Sequence, residues 1–334
     1  MTSKERVLAV LNGQQPDKVP FIDWWHNGIR EKITKALGGD PHMDEAQFAG
    51  LVGMDAICIE KYCAPFFCEV IKDDQGGDHF QGEGLIKKET DFKKMRMPDP
   101  KDESYYDDAK RYIDKYGASG LALYPVFRTG MLNVIYSIGL VDFSYALFQR
   151  RSFVEKVFEI FTDWTCEVLT RLQPLGFDFL MSFDDIAYNT GPFFSPRIFD
   201  ELFAPGLKQI TDVINLPWAY HSDGNLIKMM DRLVALGMNA INPFQPDVMN
   251  IKDMKDQYGD HIAVWGNIDL GYTLTRGTVE ETIAEVTQRL KECGPGGGFI
   301  IGSSNTITDY CKLENVLAMV ETINKYRKYP ITIN

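Results

Sequence analysis

The chain has 334 residues, of which 45% are hydrophobic and 25% are charged, and its formal net charge is -12. This composition is typical of a globular protein, and its acidity excludes nucleic acids and anionic membranes as main partners, because both require a basic surface. No apolar run approaches the roughly 18 residues of a membrane-spanning helix, and the first residues lack the apolar core of a signal peptide. The six cysteines form no Cys-x-x-Cys pair, so we expect a cytoplasmic protein with reduced thiols.

Short apolar runs alternate with longer segments of helical periodicity along the whole chain. The first helix is predicted to be capped by Ser3 and to end at Asn12-Gly13. A glycine-containing region at about 65–91 is predicted to be a hairpin excursion rather than a new domain. The predicted strands cover 19–23, 56–60, 121–127, 177–183, a run ending at 221, 240–243, 262–265 and 298–301. The predicted helices cover 3–11, 29–37, 44–52, 106–116, 142–149, 153–172, 196–213, 226–236, 250–257, 279–293 and 313–328.

Eight short strands that alternate with helices predict a (β/α)8 barrel, the TIM-barrel fold of the α/β class, as a single domain over residues 1–334. The alternative is an open, doubly wound sheet. No Gly-x-Gly-x-x-Gly follows a strand, which disfavours a dinucleotide site. The glycine-rich run that starts at Gly294 precedes a strand, so it indicates a helix exit rather than a phosphate cradle.

In such a barrel the active site lies at the carboxyl ends of the strands. His221 and Asp223 lie where the fifth strand emerges, and residues two apart in a strand point to the same side. We predict His221, Asp223, Asp184 and Asp185 as catalytic residues, because carboxylates and histidines bind metals or move protons. The competing interpretation is that Asp223 caps the next helix and that His221 is a hydrogen-bonded core histidine. A pocket is predicted beside His221, Asp185 and Trp265.

Aromatic and polar side chains follow the other predicted strands. A wide aromatic mouth suits a flat, mostly neutral ligand, although each ring taken alone is more often explained by core packing. The same strand ends carry Asp23, Glu60, Arg128 and Asn242, to which the sequence assigns no role. The predicted substrate-binding residues are Trp24, Trp25, His26, Phe127, Tyr188, Trp265, Asn267, Asp269, Ser303 and Asn305.

A set of short motifs occurs in a fixed order, and through it the chain resembles the uroporphyrinogen decarboxylase superfamily over nearly its whole length. The resemblance implies a (β/α)8 barrel that is either a decarboxylase or a methyltransferase working with a corrinoid protein. The motifs are Val7-Leu8-Ala9-Val10-Leu11-Asn12-Gly13, Pro16-Asp17-Lys18-Val19-Pro20, Ser195-Pro196 with Phe199 and Pro205, His221-Ser222-Asp223-Gly224-Asn225, Gly266-Asn267-Ile268-Asp269, Gly302-Ser303-Ser304-Asn305 and Leu313-Glu314-Asn315.

Three departures from the family's decarboxylases favour the methyltransferase branch. Those decarboxylases carry an arginine-rich loop after the first strand, whereas here that loop contains only Arg30. They also carry an aspartate after the second strand and a histidine near the end, where this chain has Glu60-Lys61 and Ser303-Ser304. Uroporphyrinogen is a polycarboxylate, which requires bidentate arginine partners.

The zinc-binding positions of the thiol-methylating branch also differ. Members of that branch, which this chain resembles, bind zinc through a His-x-Cys pair and a later cysteine. The corresponding positions here are His221-x-Asp223 and Ser303. Both thiolates are therefore replaced, and a set of oxygens and an imidazole remains. Such a set suits a harder Lewis acid, which polarises an ether oxygen rather than stabilising a thiolate.

The chain is similar to branch members that demethylate aryl methyl ethers, and this resemblance implies both a zinc site and a function. The implied zinc ligands are Asp185, Asp200 and His221, with Asp184 and Asp223 as rivals to Asp185. We predict a methyltransferase of an anaerobic corrinoid system. Its donor is a small O-methyl compound such as a methoxylated aromatic, and its acceptor is a Co(I) corrinoid on a partner protein.

Three alternatives stay open. The first is methyl transfer from a methylcorrinoid to tetrahydrofolate, in which Asn267 and Asp269 hold the pterin. The second is uroporphyrinogen decarboxylation, which the scarcity of arginine at the mouth disfavours. The third is a non-enzymatic carrier of a corrinoid or another tetrapyrrole.

Overall fold

The computed structural model describes residues 1–72, 78–79 and 82–333. The strands within these residues are β1 (Ala56–Ile59), β2 (Ile71–Lys72), β3 (Asp78–His79), β4 (Ala122–Phe127), β5 (Leu180–Phe183), β6 (Ala187–Tyr188), β7 (Gly191–Pro192), β8 (Trp218–His221), β9 (Ala240–Asn242), β10 (Ala263–Ile268) and β11 (Phe299–Ser303). A parallel sheet occupies the centre, with its strands in the order β1-β4-β5-β8-β9-β10-β11. Two short antiparallel pairs, β2 with β3 and β6 with β7, lie outside that sheet.

The sheet closes on itself through the segment that precedes β1. Phe21 pairs in parallel with Ile301 of β11, and the Ile22 N–H donates to the Ile301 carbonyl at 3.1 Å. On the other side the Asp55 N–H donates to the Phe21 carbonyl at 2.8 Å. The segment around Phe21 therefore takes the eighth strand position. The predicted (β/α)8 barrel is confirmed and the open sheet is excluded, although the strand predicted at 19–23 is reduced to isolated bridges.

Helices surround the barrel, and their ends follow ordinary capping chemistry. The first helix is capped by Thr2 rather than by the predicted Ser3, because the Thr2 hydroxyl accepts from the Glu5 N–H in a capping box. A π-helical turn, Phe199–Phe203, interrupts the helix predicted at 196–213. The α-helices are α1 (Ser3–Leu11), α2 (Asn27–Ala36), α3 (Glu45–Val52), α4 (Asp107–Tyr116), α5 (Met131–Ile138), α6 (Leu140–Gln149), α7 (Arg151–Leu172), α8 (Pro196–Ile198), α9 (Ala204–Val213), α10 (Met230–Ala235), α11 (Ile251–Tyr258), α12 (Val279–Cys293) and α13 (Leu313–Tyr326). Short 3-10 turns cover Glu89–Lys94, Glu103–Tyr106 and Gln173–Leu175.

Helix α5 is the largest element absent from the sequence prediction. Nearly all of its side chains are buried, including Asn133 and Ser137. Because α5 is buried on nearly every side, it has no exposed polar face to mark it as a surface helix. Among the described residues no single helix is long and apolar enough to cross a bilayer, although α5 and α6, bent by 102° at the break between them, meet that test when taken together.

Two separate apolar cores fix which strand residues face the barrel interior. Alternate residues of β4, Tyr124 and Val126, contact the interior core, together with Phe183 of β5. The intervening Phe127 packs in the outer core between the sheet and the helices. Since side chains alternate along a strand, this pattern identifies the inward positions, which lead directly to the mouth.

The two strands β2 and β3 pair within the segment predicted as a hairpin excursion. Ile71 pairs with His79 and Lys72 with Asp78, and Cys68 bridges Gly84. The predicted turn at Gly76-Gly77 lies outside the described residues.

Candidate functional site

His221 is the last residue of β8 and lies at the carboxyl end of the barrel, between Phe183 and Asn242 in the strand register. Its Nδ1 lies 2.6 Å from the Asn242 Oδ1. The Asn242 amide nitrogen faces the Trp265 carbonyl at 3.4 Å, which assigns the amide oxygen to the imidazole side. The His221 Nδ1 therefore carries the proton and donates, and the Nε2 lone pair is left for another partner.

Two carboxylates face that Nε2 atom. The Oδ1 atoms of Asp185 and Asp223 each lie 3.8 Å from it. One ligand atom from each of the three residues lies within 4.8 Å of the others, as in a metal site. Zinc bonds to nitrogen and oxygen are about 2.0–2.2 Å long, so small side-chain rotations would bring all three atoms onto one ion. We refer to Asp185, His221 and Asp223 as the carboxylate–histidine group.

Loop contacts hold the two carboxylates in place. The Asp185 Oδ1 accepts from the Asp223 N–H at 2.8 Å, and the Asn305 amide donates to the Asp223 Oδ2 at 2.7 Å. The loop can turn here because Gly224 adopts a φ of +88°, and a Cβ at that position would lie 2.4 Å from the Ala187 carbonyl. Partners of this kind orient metal ligands in known metal sites.

The carboxylate–histidine group is electrostatically unfavourable without a cation. The pKa of Asp223 is raised to about 6, mainly by burial; the charge of His221 lowers it, the neighbouring Asp185 charge raises it, and the Asn305 hydrogen bond lowers it. Two carboxylates that share one site repel each other, and a divalent ion relieves that repulsion. The group therefore has the donor types of a possible metal site.

Aromatic rings enclose the histidine. Trp24 lies edge-on to His221 with ring centroids 6.2 Å apart and stacks on Trp265 at 5.1 Å. The Phe183 ring centroid is 4.7 Å from that of His221. These rings limit the access of water to one side of the imidazole.

A cavity of about 740 Å³ has Trp24 in its wall. Its wall includes Trp25, His26 and Glu60, but neither His221 nor Asp185 nor Trp265. The pocket beside those three residues stays a prediction, and Trp24 both lines this cavity and packs against His221. Burial raises the pKa of the Glu60 carboxyl in this wall.

Two of the predicted acidic residues lie away from the carboxylate–histidine group. Asp184 is fully buried, and its carboxylate accepts from the Thr129 N–H at 2.6 Å and the Leu132 N–H at 3.3 Å, so it caps α5. Burial raises its pKa to about 6. Asp200 forms a bidentate ion pair with Arg232 at 2.7 Å on the surface. Asp185 and His221 of the implied ligand set therefore lie together with Asp223 beside them, whereas Asp200 lies on the surface; the ligand set itself stays a prediction.

For several residues that stay predicted substrate contacts, the structure shows their positions and their contacts within the protein. Phe127 faces the helices rather than the mouth. The Asp269 carboxylate accepts from the N–H groups of Gly271 at 2.6 Å and Tyr272 at 3.1 Å, so it stabilises a turn. Asn267 donates to the Phe244 carbonyl at 2.5 Å. Tyr188 lies exposed at the rim.

Ser303 contacts Asp23, an acidic residue to which the sequence assigned no role. Asp23 is almost completely buried and accepts from the Ser303 N–H at 2.9 Å and from the Trp24 N–H at 3.0 Å. The Ser303 hydroxyl lies 2.6 Å from the Asp23 Oδ1 and also contacts the Asn305 carbonyl. Burial raises the pKa of Asp23 to about 7. The one signal in the sequence was the position of Asp23 at a strand end.

The uroporphyrinogen decarboxylase (URO-D) family model matches residues 83–326, and the chain belongs to that family. No curated protein matches the sequence. A methyltransferase from Methanosarcina mazei has a similar structure, with 19% identity, a TM-score of 0.74 and coverage of 98% of this chain and 99% of that one. A B12-independent methionine synthase from Shewanella sp. W3-18-1, solved with selenomethionine, has 13% identity, a TM-score of 0.52 and coverage of 93% and 95%. At these identities the likeness shows the fold.

Proposed function

We propose that this protein is a methyltransferase that moves the methyl group of a small O-methyl compound, such as a methoxylated aromatic, to a Co(I) corrinoid carried by a partner protein. The observation that carries the proposal is the carboxylate–histidine group, with Asp185 and Asp223 each 3.8 Å from the free nitrogen of His221. The name of the Methanosarcina mazei neighbour, a methyltransferase, agrees with it.

The carboxylate–histidine group fits a zinc ion, because one imidazole and two carboxylates match zinc's usual donors. Asp185, His221 and Asp223 would hold it, and bound zinc supplies a Lewis acid for an ether oxygen. Asn242 fixes the tautomer that leaves Nε2 unprotonated, and Asn305 fixes the orientation of Asp223. These residues keep the ligand atoms directed to one point before a substrate arrives.

The reaction needs help at the leaving oxygen rather than at the methyl carbon. The methyl–oxygen bond breaks with its electron pair left on oxygen, and the methyl group forms its new bond with the electron pair of Co(I) on the partner's corrinoid. The oxygen then takes up a proton. Phenolate and alkoxide are poor leaving groups, so positive charge or a proton donor beside the oxygen lowers the barrier. Asp223 cannot fill both roles, because a zinc ligand is ionised; it would be the proton donor only without zinc, where burial raises its pKa to about 6.

Thiol chemistry finds less support at this mouth. Cys58, in the wall of the cavity beside Trp24, and Cys63 are free thiols, and burial raises the pKa of Cys63 to about 11, so Cys63 stays protonated at neutral pH. The Ser303 hydroxyl, which stands where a thiolate is expected in the thiol-methylating branch, is held by Asp23. An oxygen-bound methyl donor therefore fits better than a thiol substrate.

The reverse half-reaction, from a methylcorrinoid to tetrahydrofolate, is the second candidate. Its support is the Asn267 Oδ1 atom, which is buried without a hydrogen-bond partner among the described residues and which a pterin N–H would satisfy. Against it, the Asp269 carboxylate is already engaged by two backbone N–H groups. Demethylation of methylcobalamin in the presence of tetrahydrofolate would support this candidate.

The test is metal analysis of the purified protein together with an anaerobic assay using free cob(I)alamin and a panel of methoxylated aromatics. We expect bound zinc and the conversion of the cob(I)alamin spectrum to that of methylcobalamin. Uroporphyrinogen III serves as the competing substrate, and we expect no coproporphyrinogen. Decarboxylation of uroporphyrinogen without methylation of cobalamin would overturn the proposal. Intact corrinoid binding without any turnover would favour a carrier.

A further inference from the structure

The barrel wall is incomplete between the segment around Phe21 and β1. The two are joined where the Asp55 N–H donates to the Phe21 carbonyl at 2.8 Å. Beyond that point, no backbone hydrogen bond links residues 22–26 to β1 in the part of the chain that the structure describes. Residues 22–26 pair on their other side, where the Trp24 carbonyl accepts from the Ile307 N–H at 2.9 Å, and β1 pairs with β4. A gap therefore separates the two strand positions.

The cavity of about 740 Å³ that Trp24 lines lies in this gap, and we refer to it as the strand-gap cavity. Trp24 and Trp25 line it from one strand position, and Ile57 and Cys58 line it from the other. Cys58 packs against the interior core and Ile57 in the outer core, so the cavity passes between the strands. Helices α3 and α4 complete it from outside through Glu45, Phe48, Tyr112 and Tyr116. No member of the carboxylate–histidine group lines it.

Two carboxylates of the strand-gap cavity lack a cationic partner. The Glu45 Oε2 accepts from the Tyr112 hydroxyl at 3.0 Å, and burial raises the pKa of Tyr112, which keeps it a donor. The Glu60 Oε1 has only the Cys58 thiol, at 3.9 Å. No lysine, arginine or histidine nitrogen lies within 4.0 Å of either carboxylate among the described residues. The pKa of Glu60 is raised, mainly by burial; the charge of Arg128 lowers it and that of Glu45 raises it.

The cations in the wall of the strand-gap cavity are engaged elsewhere. Lys115 pairs with Asp44 at 3.2 Å, and Arg111 pairs with an acidic residue three positions earlier on α4. Arg30 lies over the Phe48 ring, 4.9 Å from its centroid, and donates to a backbone carbonyl at 3.2 Å. The two carboxylates therefore leave the cavity with uncompensated negative charge, which favours a positively charged ligand.

Aromatic rings make up much of the remaining wall, and they decide which kind of cation fits. Arg30 over Phe48, and Lys115 at 4.7 Å from the Tyr116 ring centroid, show that rings of this wall attract positive charge. The other rings carry no protein cation in the described part of the chain. A hydrated metal ion would lose water to apolar surface, whereas an ammonium with alkyl groups contacts rings directly. The other rings of the wall are those of Trp24, Trp25, Tyr112 and Tyr124.

We propose that the strand-gap cavity binds an organic ammonium cation, whose charge lies between Glu45 and Glu60 and whose alkyl groups contact the aromatic rings. The volume of the cavity is within the range of small-molecule sites, so it accommodates an ammonium head with an attached organic chain. This inference goes beyond the proposed function, because the site is separate from the carboxylate–histidine group and needs no methyl transfer.

The first test is calorimetry with choline and with the uncharged analogue 3,3-dimethylbutanol, in which carbon replaces nitrogen. The parent should bind choline at least about 10-fold more tightly than the alcohol. Glu45→Gln and Glu60→Gln should each weaken choline binding roughly 10-fold and leave the alcohol unchanged. Asp231→Asn is the matched control, because Asp231 also accepts from a tyrosine hydroxyl, that of Tyr258 at 2.8 Å, but lies outside the cavity. It should bind choline as the parent does.

The second test separates the ring from the carboxylates. Tyr112→Leu removes a ring and should weaken choline binding about 3- to 30-fold, whereas Tyr112→Phe keeps the ring and should retain most of the affinity. Melting temperatures of all variants show whether they fold, and the glutamate variants decide if Tyr112→Leu does not. Equal affinity of the parent for choline and the alcohol, or undiminished choline binding by Glu45→Gln and Glu60→Gln, would overturn the proposal. Loss of choline binding in His221→Ala alone would do the same, because it would place the cation at the carboxylate–histidine group. Calorimetry requires no turnover, so a protein that methylates no cobalamin still decides this site.

Discussion

The two ends of the barrel use the same residue types in opposite ways. At the amino end, the Asp55 carboxylate accepts from Arg6 at 2.6 Å, Arg327 at 2.6 Å, Ser3 at 2.7 Å and the Phe21 N–H at 2.8 Å. At the carboxyl end, the carboxylates of the carboxylate–histidine group face His221 at 3.8 Å, beyond hydrogen-bond distance. The comparison teaches that a buried carboxylate paired with buried cations indicates stability, whereas neighbouring, partly exposed carboxylates without a paired cation indicate a ligand site.

The largest effect is expected from Asp55→Ala. This change leaves Arg6 and Arg327 buried without their shared carboxylate and removes the partner of the Phe21 N–H, so the free energy of unfolding should fall by about 3–5 kcal/mol. Urea denaturation measures it. The control is Asp17→Ala, because Asp17 also pairs with Arg6 but is 41% exposed, and its loss should cost less than about 1 kcal/mol. Equal losses in the two variants would contradict the special role of the amino-end cluster.

Asp23→Asn tests whether a buried acid at the mouth costs stability when it ionises. The pKa of Asp23 is raised from 3.8 to about 7 in the folded protein, so its contribution to stability is complete below pH 4 and is lost as the pH rises to 7. The parent should lose roughly 3–4 kcal/mol relative to Asp23→Asn across this range. Urea denaturation of both proteins at several pH values measures the difference. Parallel pH profiles would show that Asp23 ionises normally.

His221→Ala should abolish function while leaving the fold. Loss of a metal ligand or of a catalytic acid should reduce cobalamin methylation about 10²-fold or more, with a modest drop in melting temperature because the buried Asn242 amide loses a partner. Bound zinc, melting temperature and methylation are measured on one preparation. His42→Ala, at an exposed position, is the control. A destabilised His221→Ala protein that stays fully active per folded molecule would end the assignment of His221.

Asn305→Ala should have a smaller effect, because Asn305 acts through Asp223. Without the 2.7 Å hydrogen bond, Asp223 is free to rotate away from His221, and zinc affinity should fall about 10-fold. Competition with a chromophoric chelator measures the affinity. Unchanged zinc binding would show that Asp223 needs no support from this loop.

Asp200→Asn should have the smallest effect on the site. Asp200 pairs with Arg232 on the surface, away from His221. We expect parental zinc content and methylation, with a small shift in melting temperature from the broken ion pair. Loss of zinc in this variant would restore the ligand set implied by family resemblance.

The barrel was predictable because short apolar strands and amphipathic helices repeat along the chain. The contacts between site residues on neighbouring strands were not predictable. The strand positions of His221 and Asp185 were readable, but the contact of His221 with Asn242 depends on the register of two neighbouring strands, which no local pattern encodes. The family resemblance implied Asp200 as a zinc ligand. Only the structure shows that its side chain forms an ion pair with Arg232 on the surface.

The closure of the barrel has a consequence for how the chain folds. The contact between Asp23 and Ser303 joins residues 280 positions apart, and the pairing of Phe21 with Ile301 is similarly distant. During synthesis, the growing sheet keeps two unpaired edges until its final strand leaves the ribosome. Contacts between such distant residues form slowly, and exposed parallel edges invite association with other chains. We therefore expect refolding yield to depend strongly on protein concentration and on chaperones that shield a nearly complete barrel.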